Sequence, residues 1–368
     1  MHTIGYGTYR AGGSLRPLRF ERRDLGEHDV RIKIDYCGVC HSDLHQARDE
    51  WGNTMYPCLP GHEIVGTVEA IGGHVKGHKV GDRVGVGCMV DSCGECQGCQ
   101  EGLEQYCEGP KGLTLTYNGP MKPDGSNTFG GYSSHIVVRE AFVLRIPGSL
   151  PIERVAPILC AGVTTYSPMK HFGMKAGDKV GVVGLGGLGH MAIKIATALG
   201  ANVTAITTSQ QKGEEAAHLG AQAVLLSKDK HAMKEQELSF DFILSTIPEK
   251  HDVNPYICLL KRDAKLVMVG ALEPLKPIDH SQVAFHRRTI AGSLIGGIAE
   301  TQEVLDFCGK HNIASDVEVI AIQDINKAYD RLQRGDVKYR FVIDMRTLND
   351  EDQRDASQVT GYNNGHPF

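Results

Sequence analysis

The chain has 368 residues, more than one ordinary hydrophobic core accommodates, so two domains are the default expectation. A net charge of −5 supplies no basic field for nucleic acid or an anionic membrane, and 41% hydrophobic residues with a mean hydropathy of −0.22 fit a globular protein without a membrane span. The opening MHTIGYGTYRAGG lacks the charged-then-apolar pattern of an export signal, so a cytoplasmic setting is expected and the eleven cysteines read as metal ligands or packed thiols, not disulfides.

Up to about Arg145 the chain is written in short alternating runs broken by glycine. They are VRIKIDY (30–36), EIVGTVEAIG (63–72), DRVGVG (82–87), YSSHIVVRE (132–140) and FVLRIP (142–147). Alternation with period two fits strands of a small β domain, with turns at Gly72-Gly73 and Gly81-Asp82. Within it, the stretch Tyr36 to Glu63 gathers a thiol at Cys40, a hydroxyl at Ser42, imidazoles at His45 and His62 and the carboxylate of Glu63. A catalytic zinc takes thiolate and imidazole ligands and leaves one tetrahedral corner open. Cys40 and His62 supply two such ligands, and the third must come from elsewhere in the chain. Ser42 and His45 read as a proton path beside the metal. Cys37 and Cys58 read as packed thiols.

The same domain contains CGECQGCQEGLEQYC, with Cys93, Cys96, Cys99 and Cys107. The spacing C-x2-C-x2-C-x7-C lets four thiolates surround one ion, and glycines 94, 98 and 102 let the loop wrap tightly. Four thiolates leave no open position, so a structural zinc is expected; an iron–sulfur cluster is the competing reading.

From Cys160 the texture changes. A Val-rich run (180–183) meets Gly184-Leu185-Gly186-Gly187-Leu188-Gly189, and an apolar helical pattern continues to Leu199. This is G-x-G-x-x-G between strand and helix, the dinucleotide-binding arrangement. Its first glycine makes the turn, its second admits the pyrophosphate, and its third packs helix on strand. The following strand (202–206) ends in Thr207, Thr208, Ser209 and Lys212 instead of the carboxylate that holds a ribose 2′-hydroxyl. Hydroxyls and a lysine suit a 2′-phosphate and favour NADP(H); the plainer reading is a turn and helix cap, and Ser209 fits both.

Strands and helices then alternate: AVLLS (223–227), a helix over 229–238, FDFILST (240–246), a helix near Tyr256–Leu260, KLVMVG (265–270) and TIAGSLIGG (289–297). That order predicts a doubly wound parallel sheet, an α/β architecture. After it come helices over 301–311 and 325–334 and a strand YRFVIDM (339–345), expected to rejoin the first domain. The domain expectation is therefore 1–159, 160–297, and a return over 298–368. Residues from about Asn349 are polar and read as a loosely held tail.

These motifs together resemble the zinc-dependent medium-chain dehydrogenases, and within them the cinnamyl-alcohol-dehydrogenase-like aldehyde reductases. The resemblance runs from about Ile32 to Met345 and rests on CGVCHSDLH, PGHEIVG, the four-cysteine loop, LCAGVTTYSP, GLGGLGH, GSLIGG and KYRFVID. It implies a GroES-like β domain joined to a Rossmann domain, and two zinc ions per chain, one catalytic and one structural. The catalytic ligands it implies are Cys40, His62 and Cys160, with Glu63 able to approach the metal and Asp43 orienting nearby groups. Ser42 would serve the substrate oxygen, and His45 would end a relay through the cofactor ribose. Thr164 and the glycine loop would touch NADP(H), with Thr208, Ser209 and Lys212 at the 2′-phosphate. Pocket positions fall at Gln46, Trp51, Cys88, Leu294 and Ile295, and the family forms homodimers partly through edge strands near Ala291–Gly296.

The implied reaction is hydride transfer between NADPH and small-molecule aldehydes. The plant lignin enzymes carry a tryptophan after the four-cysteine loop and a phenylalanine in the segment matching GSLIGG. This chain has only Trp51, and Leu294 and Ile295 in that segment, which favours broad aromatic and medium-chain aldehydes over hydroxycinnamyl ones. Two rivals remain: reduction of a conjugated C=C or iminium bond on the same fold, and a non-enzymatic zinc- or NADPH-binding regulator.

Overall fold

The computed structural model describes residues 1–110, 112–119, 127–270 and 274–359. It divides into two compact units, Met1–Cys160 with Gly297–Phe368, and Ala161–Gly296. Among the described residues no helix is long and apolar enough to cross a membrane.

The first unit is organised around the strand Asp29–Val39. Its first half alternates, with Val30, Ile32 and Ile34 buried and Lys33 exposed between them. From Tyr36 to Val39 every residue is buried, because strands pair with it and further chain covers it. The seven-stranded sheet runs Val317–Ala321, Arg340–Asp344, Asp29–Val39, Ile64–Ile71, Arg83–Val86, Leu144–Arg145, with His135–Arg139 also pairing to Asp29–Val39. The strand Arg340–Asp344 lies antiparallel to it, with Phe341 opposite Val39. The first unit is thus completed by chain that returns after the second.

The polar stretch from Asn349 is not a loose tail over its described part. Asn349 caps the helix Asp350–Asp355, and the strand Ser357–Gln358 pairs parallel with Arg16–Glu21 in a sheet shared with His2–Gly7. The fastening is polar, which is why composition hides it. Asp352 is buried and accepts from Tyr6 Oη at 2.5 Å, Gln323 Nε2 at 2.6 Å and the Asn349 amide at 3.0 Å. Residues 360–368 of that expected tail lie outside the described residues.

The second unit is a six-stranded, all-parallel sheet in the spatial order Ala223–Leu226, Asn202–Thr207, Lys179–Val183, Phe240–Ser245, Leu260–Met268, Thr289–Gly292. Counted along the chain this is 3-2-1-4-5-6, the order of a Rossmann sheet, whose strand reversal lies beside Lys179–Val183. Two element boundaries differ from expectation. The helix near Tyr256 is Asn254–Ile257, and Leu260 already pairs with Phe240 as the first residue of a long strand. The last strand stops at Gly292, and Ile295 turns into the left-handed region at φ 39°, where a β-branched residue seldom sits.

Tyr6→Phe removes the one side-chain hydroxyl that joins the N-terminal hairpin to Asp352. Chemical denaturation should show a loss of about 1–3 kcal/mol, the cost of a buried charged acceptor losing a donor. An unchanged midpoint would mean that the C-terminal helix does not depend on this bond.

Candidate functional site

The buried end of Asp29–Val39 delivers Cys40 as the N-cap of the helix His41–Ala47. One turn in, Asp43 is fully buried, and its carboxylate accepts from four donors. These are the Cys40 amide at 2.8 Å, the Gly61 amide at 3.0 Å, His62 Nδ1 at 3.0 Å and the Tyr132 hydroxyl at 3.2 Å. Gly61 has φ 104°, and a Cβ there would lie 2.7 Å from the Tyr132 ring, so only glycine lets this loop close. With Nδ1–H committed to Asp43, His62 turns Nε2 towards Cys160 Sγ, 3.3 Å away. Ligand atoms of Cys40, His62, Glu63 and Cys160 all lie within 4.8 Å of one another, and all four residues are buried.

Charge in this cluster is unbalanced. Glu63 is fully buried, neither of its oxygens has a hydrogen-bond partner, and burial pushes its carboxyl up to about 7. Arg340 opposes that, its Nη1 3.6 Å from Glu63 Oε1. The Cys40 thiol is held well below its usual range by the hydrogen bond from Cys160 and by Arg340. Cys160 is held well above the usual thiol range by its hydrogen bonds to Cys40 and Cys88, so without a cation it keeps its proton. Full ionisation of both thiols and Glu63 would set three negative charges against Arg340, a load that a divalent cation would offset, and soft sulfur with imidazole is the donor set zinc prefers.

The other expected site residues fall around this cluster. Ser42 Oγ lies 3.7 Å from Cys40 Sγ. His45, one helical turn further along the same face, bonds through Nδ1 to Glu50 and is about one-third exposed. The Trp51 ring lies 5.6 Å from the His45 ring. Cys88 shares a hydrogen bond with Cys160, whereas Gln46 is buried and gives its amide to Asn53 and Thr54. Leu294 and Ile295 belong to the second unit. Cys37 and Cys58 are buried, and burial raises both thiols.

Cys93, Cys96, Cys99 and Cys107 form a second cluster, with sulfurs all within 4.8 Å of one another. Peptide N–H groups of Glu95 and Cys96 point at Cys93 Sγ, and that of Glu108 at Cys96 Sγ, at 3.3–3.4 Å. Such donors favour thiolate, and those of Cys99 and Glu108 bring Cys96 down to about 6. Gly94 and Gly102 take φ 72° and 75° to turn the loop.

In the second unit the glycine turn behaves as a nucleotide-binding turn does. Gly184 has φ 92°, and a Cβ at Gly189 would lie 2.2 Å from the Gly184 oxygen. Around Gly186, the N-cap of the helix Gly187–Ala198, nothing lies within 4 Å of an added Cβ. That open cradle at a helix N-terminus fits a pyrophosphate. Thr164 is buried with its Oγ1 lacking a partner, whereas Thr165 bonds back to Ala161 at 2.8 Å. At the end of Asn202–Thr207, Thr207 is buried while Thr208 and Lys212 are exposed. Ser209 caps the helix Gln210–His218, accepting from the Lys212 amide at 3.4 Å.

Three residues of the cluster escape sequence reasoning. Tyr132 follows Gly130-Gly131, where added Cβ atoms would lie 2.3 Å from Pro60 and from Ile64, so the glycine pair was the available signal. Arg340 opens a strand whose middle, Phe341 to Ile343, is apolar. Glu50 has no periodic mark.

Residues 26–148 match the alcohol dehydrogenase GroES-like domain family, and residues 187–310 the zinc-binding dehydrogenase family. The chain is 53% identical over 346 residues to the aldehyde reductase YahK of Escherichia coli strain K12, covering 94% of this chain and 98% of that protein. It is similar to a cinnamyl alcohol dehydrogenase structure from Sorghum bicolor, with TM-score 0.91, 44% identity and coverage of 95% and 99% of the two chains. It is also similar to the Helicobacter pylori CAD complexed with NADP(H), with TM-score 0.88, 40% identity and the same coverages, 95% and 99%.

Asp43→Asn keeps the shape but replaces the charged acceptor of His62 Nδ1. Metal affinity should fall by about 10–100-fold in chelator competition, the usual cost of losing a carboxylate behind a metal-binding histidine. Unchanged affinity would show that His62 needs no such orientation.

Proposed function

This chain belongs to the zinc-binding alcohol dehydrogenase family, and we propose that it reduces aromatic and medium-chain aldehydes to primary alcohols with NADPH, the oxidation running over the same groups in reverse. The observation that carries this reading is the buried set Cys40, His62 and Cys160, with the His62 tautomer fixed by Asp43. Zinc bound there supplies Lewis acidity towards a carbonyl oxygen, and the nicotinamide supplies hydride.

In this reading Cys40, His62 and Cys160 hold the catalytic metal and Glu63 is an alternate ligand. Ser42 Oγ, next to Cys40 on the helix His41–Ala47, gives its proton to the substrate oxygen. His45, bonded through Nδ1 to Glu50 and about one-third exposed, ends the relay through the cofactor ribose and exchanges the proton with water. Cys93, Cys96, Cys99 and Cys107 hold a second, structural zinc. The glycine cradle at Gly184, Gly186, Gly187, Leu188 and Gly189 takes the pyrophosphate, and the unpartnered Thr164 hydroxyl faces the cofactor. Thr208, Ser209 and Lys212 take the 2′-phosphate, a reading supported by the absence of a carboxylate there and by the NADP(H) complex of the Helicobacter pylori relative. Thr207, being buried, contributes backbone only.

Trp51 and Cys88 in the first unit, and by the family resemblance Leu294 and Ile295 in the second, are the positions assigned to substrate selectivity; the buried, hydrogen-bonded Gln46 serves the loop beside it. A homodimer joined along Thr289–Gly292 is part of the proposal, because among the described residues that strand has a neighbour on one side only and Phe285 is 85% exposed before it. So is a reducing, cytosolic setting, which suits thiols gathered into two metal-donor clusters.

Initial rates with benzaldehyde should favour NADPH over NADH by at least ~10-fold, ~1.4 kcal/mol in transition-state binding, with benzyl alcohol as product. Lys212→Ala should shrink that ratio. An NADH preference would remove the 2′-phosphate assignment, and no turnover with either cofactor would shift weight to reduction of a C=C or iminium bond.

Cys160→Ala should abolish turnover while leaving NADPH binding, followed by quenching of Trp51 fluorescence or by calorimetry, within a few-fold of the unaltered protein. Near-full activity in that variant would rule out the metal mechanism.

A further inference from the structure

Glu63 raises a problem that the zinc reading creates. A catalytic zinc needs three protein ligands and an open corner, yet here a fourth donor sits among the other three, within the same 4.8 Å cluster. Bound to the metal, a buried carboxylate with no hydrogen-bond partner would gain charge neutralisation. Something has to hold it back.

Two features surround the carboxylate. Arg340 Nη1 lies 3.6 Å from Oε1, a loose ion pair whose guanidinium also donates to the Val39 oxygen at 3.3 Å. On the other side lies Gly38, where a Cβ would fall 1.9 Å from Glu63 Oε2 and 2.9 Å from its Cδ. Gly38 and Glu63 face each other across the sheet, the Gly38 amide donating to the Glu63 oxygen at 2.9 Å. The missing side chain at Gly38 is therefore the space that the carboxylate occupies. Gly38 does not sit in the left-handed region, so backbone conformation does not demand glycine there.

We propose that Gly38 is a positioning residue for the reaction: by carrying no Cβ it forms a bay, closed by Arg340, in which the Glu63 carboxylate rests, and this keeps Cys40, His62 and Cys160 as the only protein ligands during turnover. A side chain at position 38 evicts the carboxylate from the bay. The nearest positive charge besides Arg340 is then the metal, so the evicted carboxylate takes the fourth corner and competes with substrate oxygen. The inference rests on the metal reading above and deepens it.

The test uses cobalt(II)-substituted full-length protein, whose visible thiolate band reports the ligand set, with imidazole as an external ligand for the open corner. Imidazole should shift the band of the unaltered protein. In Gly38→Ala the shift should be lost, and zinc release to a chelator should slow by about 10–100-fold, the range of changes around metal ligands. The added methyl would also lie 2.9 Å from Glu63 Cβ, a strain that survives in any variant retaining that atom. Because Glu63→Ala keeps Cβ, that contact is the same in Gly38→Ala and in Gly38→Ala/Glu63→Ala, so the effect of Gly38→Ala measured with and without the carboxylate separates the bay from the strain. The double variant should respond to imidazole as Glu63→Ala does, and a Gly38→Ala chain that folds only when Glu63→Ala accompanies it supports the bay equally. An unaltered imidazole response in Gly38→Ala, or a defect of the same size in both backgrounds, would overturn the proposal while leaving the zinc site standing. A cobalt protein without a thiolate band, in which Cys160→Ala changes nothing, would overturn the metal reading and this proposal with it.

Discussion

The site depends on one fully buried carboxylate, Asp43, whose oxygens are satisfied by donors from four different parts of the chain. Asp43 is tolerated there because the Cys40 and Gly61 amides, His62 Nδ1 and the Tyr132 hydroxyl all donate to it. Each of those donors, left unmatched in the core, would cost about 1–3 kcal/mol, so the arrangement is kept or lost largely as a whole. Through those four bonds one side chain fixes the first turn of the helix, the loop carrying His62, the tautomer of His62 and the strand entry at Tyr132. The proposed metal ligands are thereby placed by a polar network of the chain's own groups.

That network needs covalently distant chain to meet, and the sheet supplies the meeting. Strand Asp29–Val39 brings Cys40 in, Ile64–Ile71 pairs alongside and brings His62 and Glu63, and Arg340 arrives on a strand that enters after the second unit is complete. Arg340 then offsets part of the charge of Glu63 and Cys40. The discontinuity of the first unit thus has a chemical consequence: the only cation paired to Glu63 among the described residues comes from the last part of the chain.

What could be read from the sequence follows the range over which each signal acts. The four-cysteine loop is legible as a metal-donor cluster because all four sulfurs come from fifteen consecutive residues. The glycine turn is legible because strand, turn and helix are adjacent in the chain. Cys160 stands 98 residues from His62, and residue type alone cannot pair them; only the resemblance singled it out. Tyr132 and Arg340 are hidden for the same reason, whereas Glu50, five residues from His45, is hidden because no residue pattern marks it. The C-terminal segment misled for another: buried polar contacts such as Tyr6–Asp352 leave no hydrophobic pattern, so a fastened element reads as a tail.

Glycine connects these observations. At Gly184 and Gly61 the reason is backbone conformation, with φ 92° and 104°, and composition-based reading anticipates such turns. At Gly38 and Gly131 the reason is a neighbour, since an added Cβ would fall 1.9 Å from Glu63 and 2.3 Å from Ile64. Glycines of this second kind carry no local signature, because the atom that excludes a side chain comes from another strand. They set how closely a functional group can retreat from, or approach, the metal donors. In the proposed metal site, the room left for a fourth donor is therefore set as much by side chains that are missing as by the proposed ligands themselves.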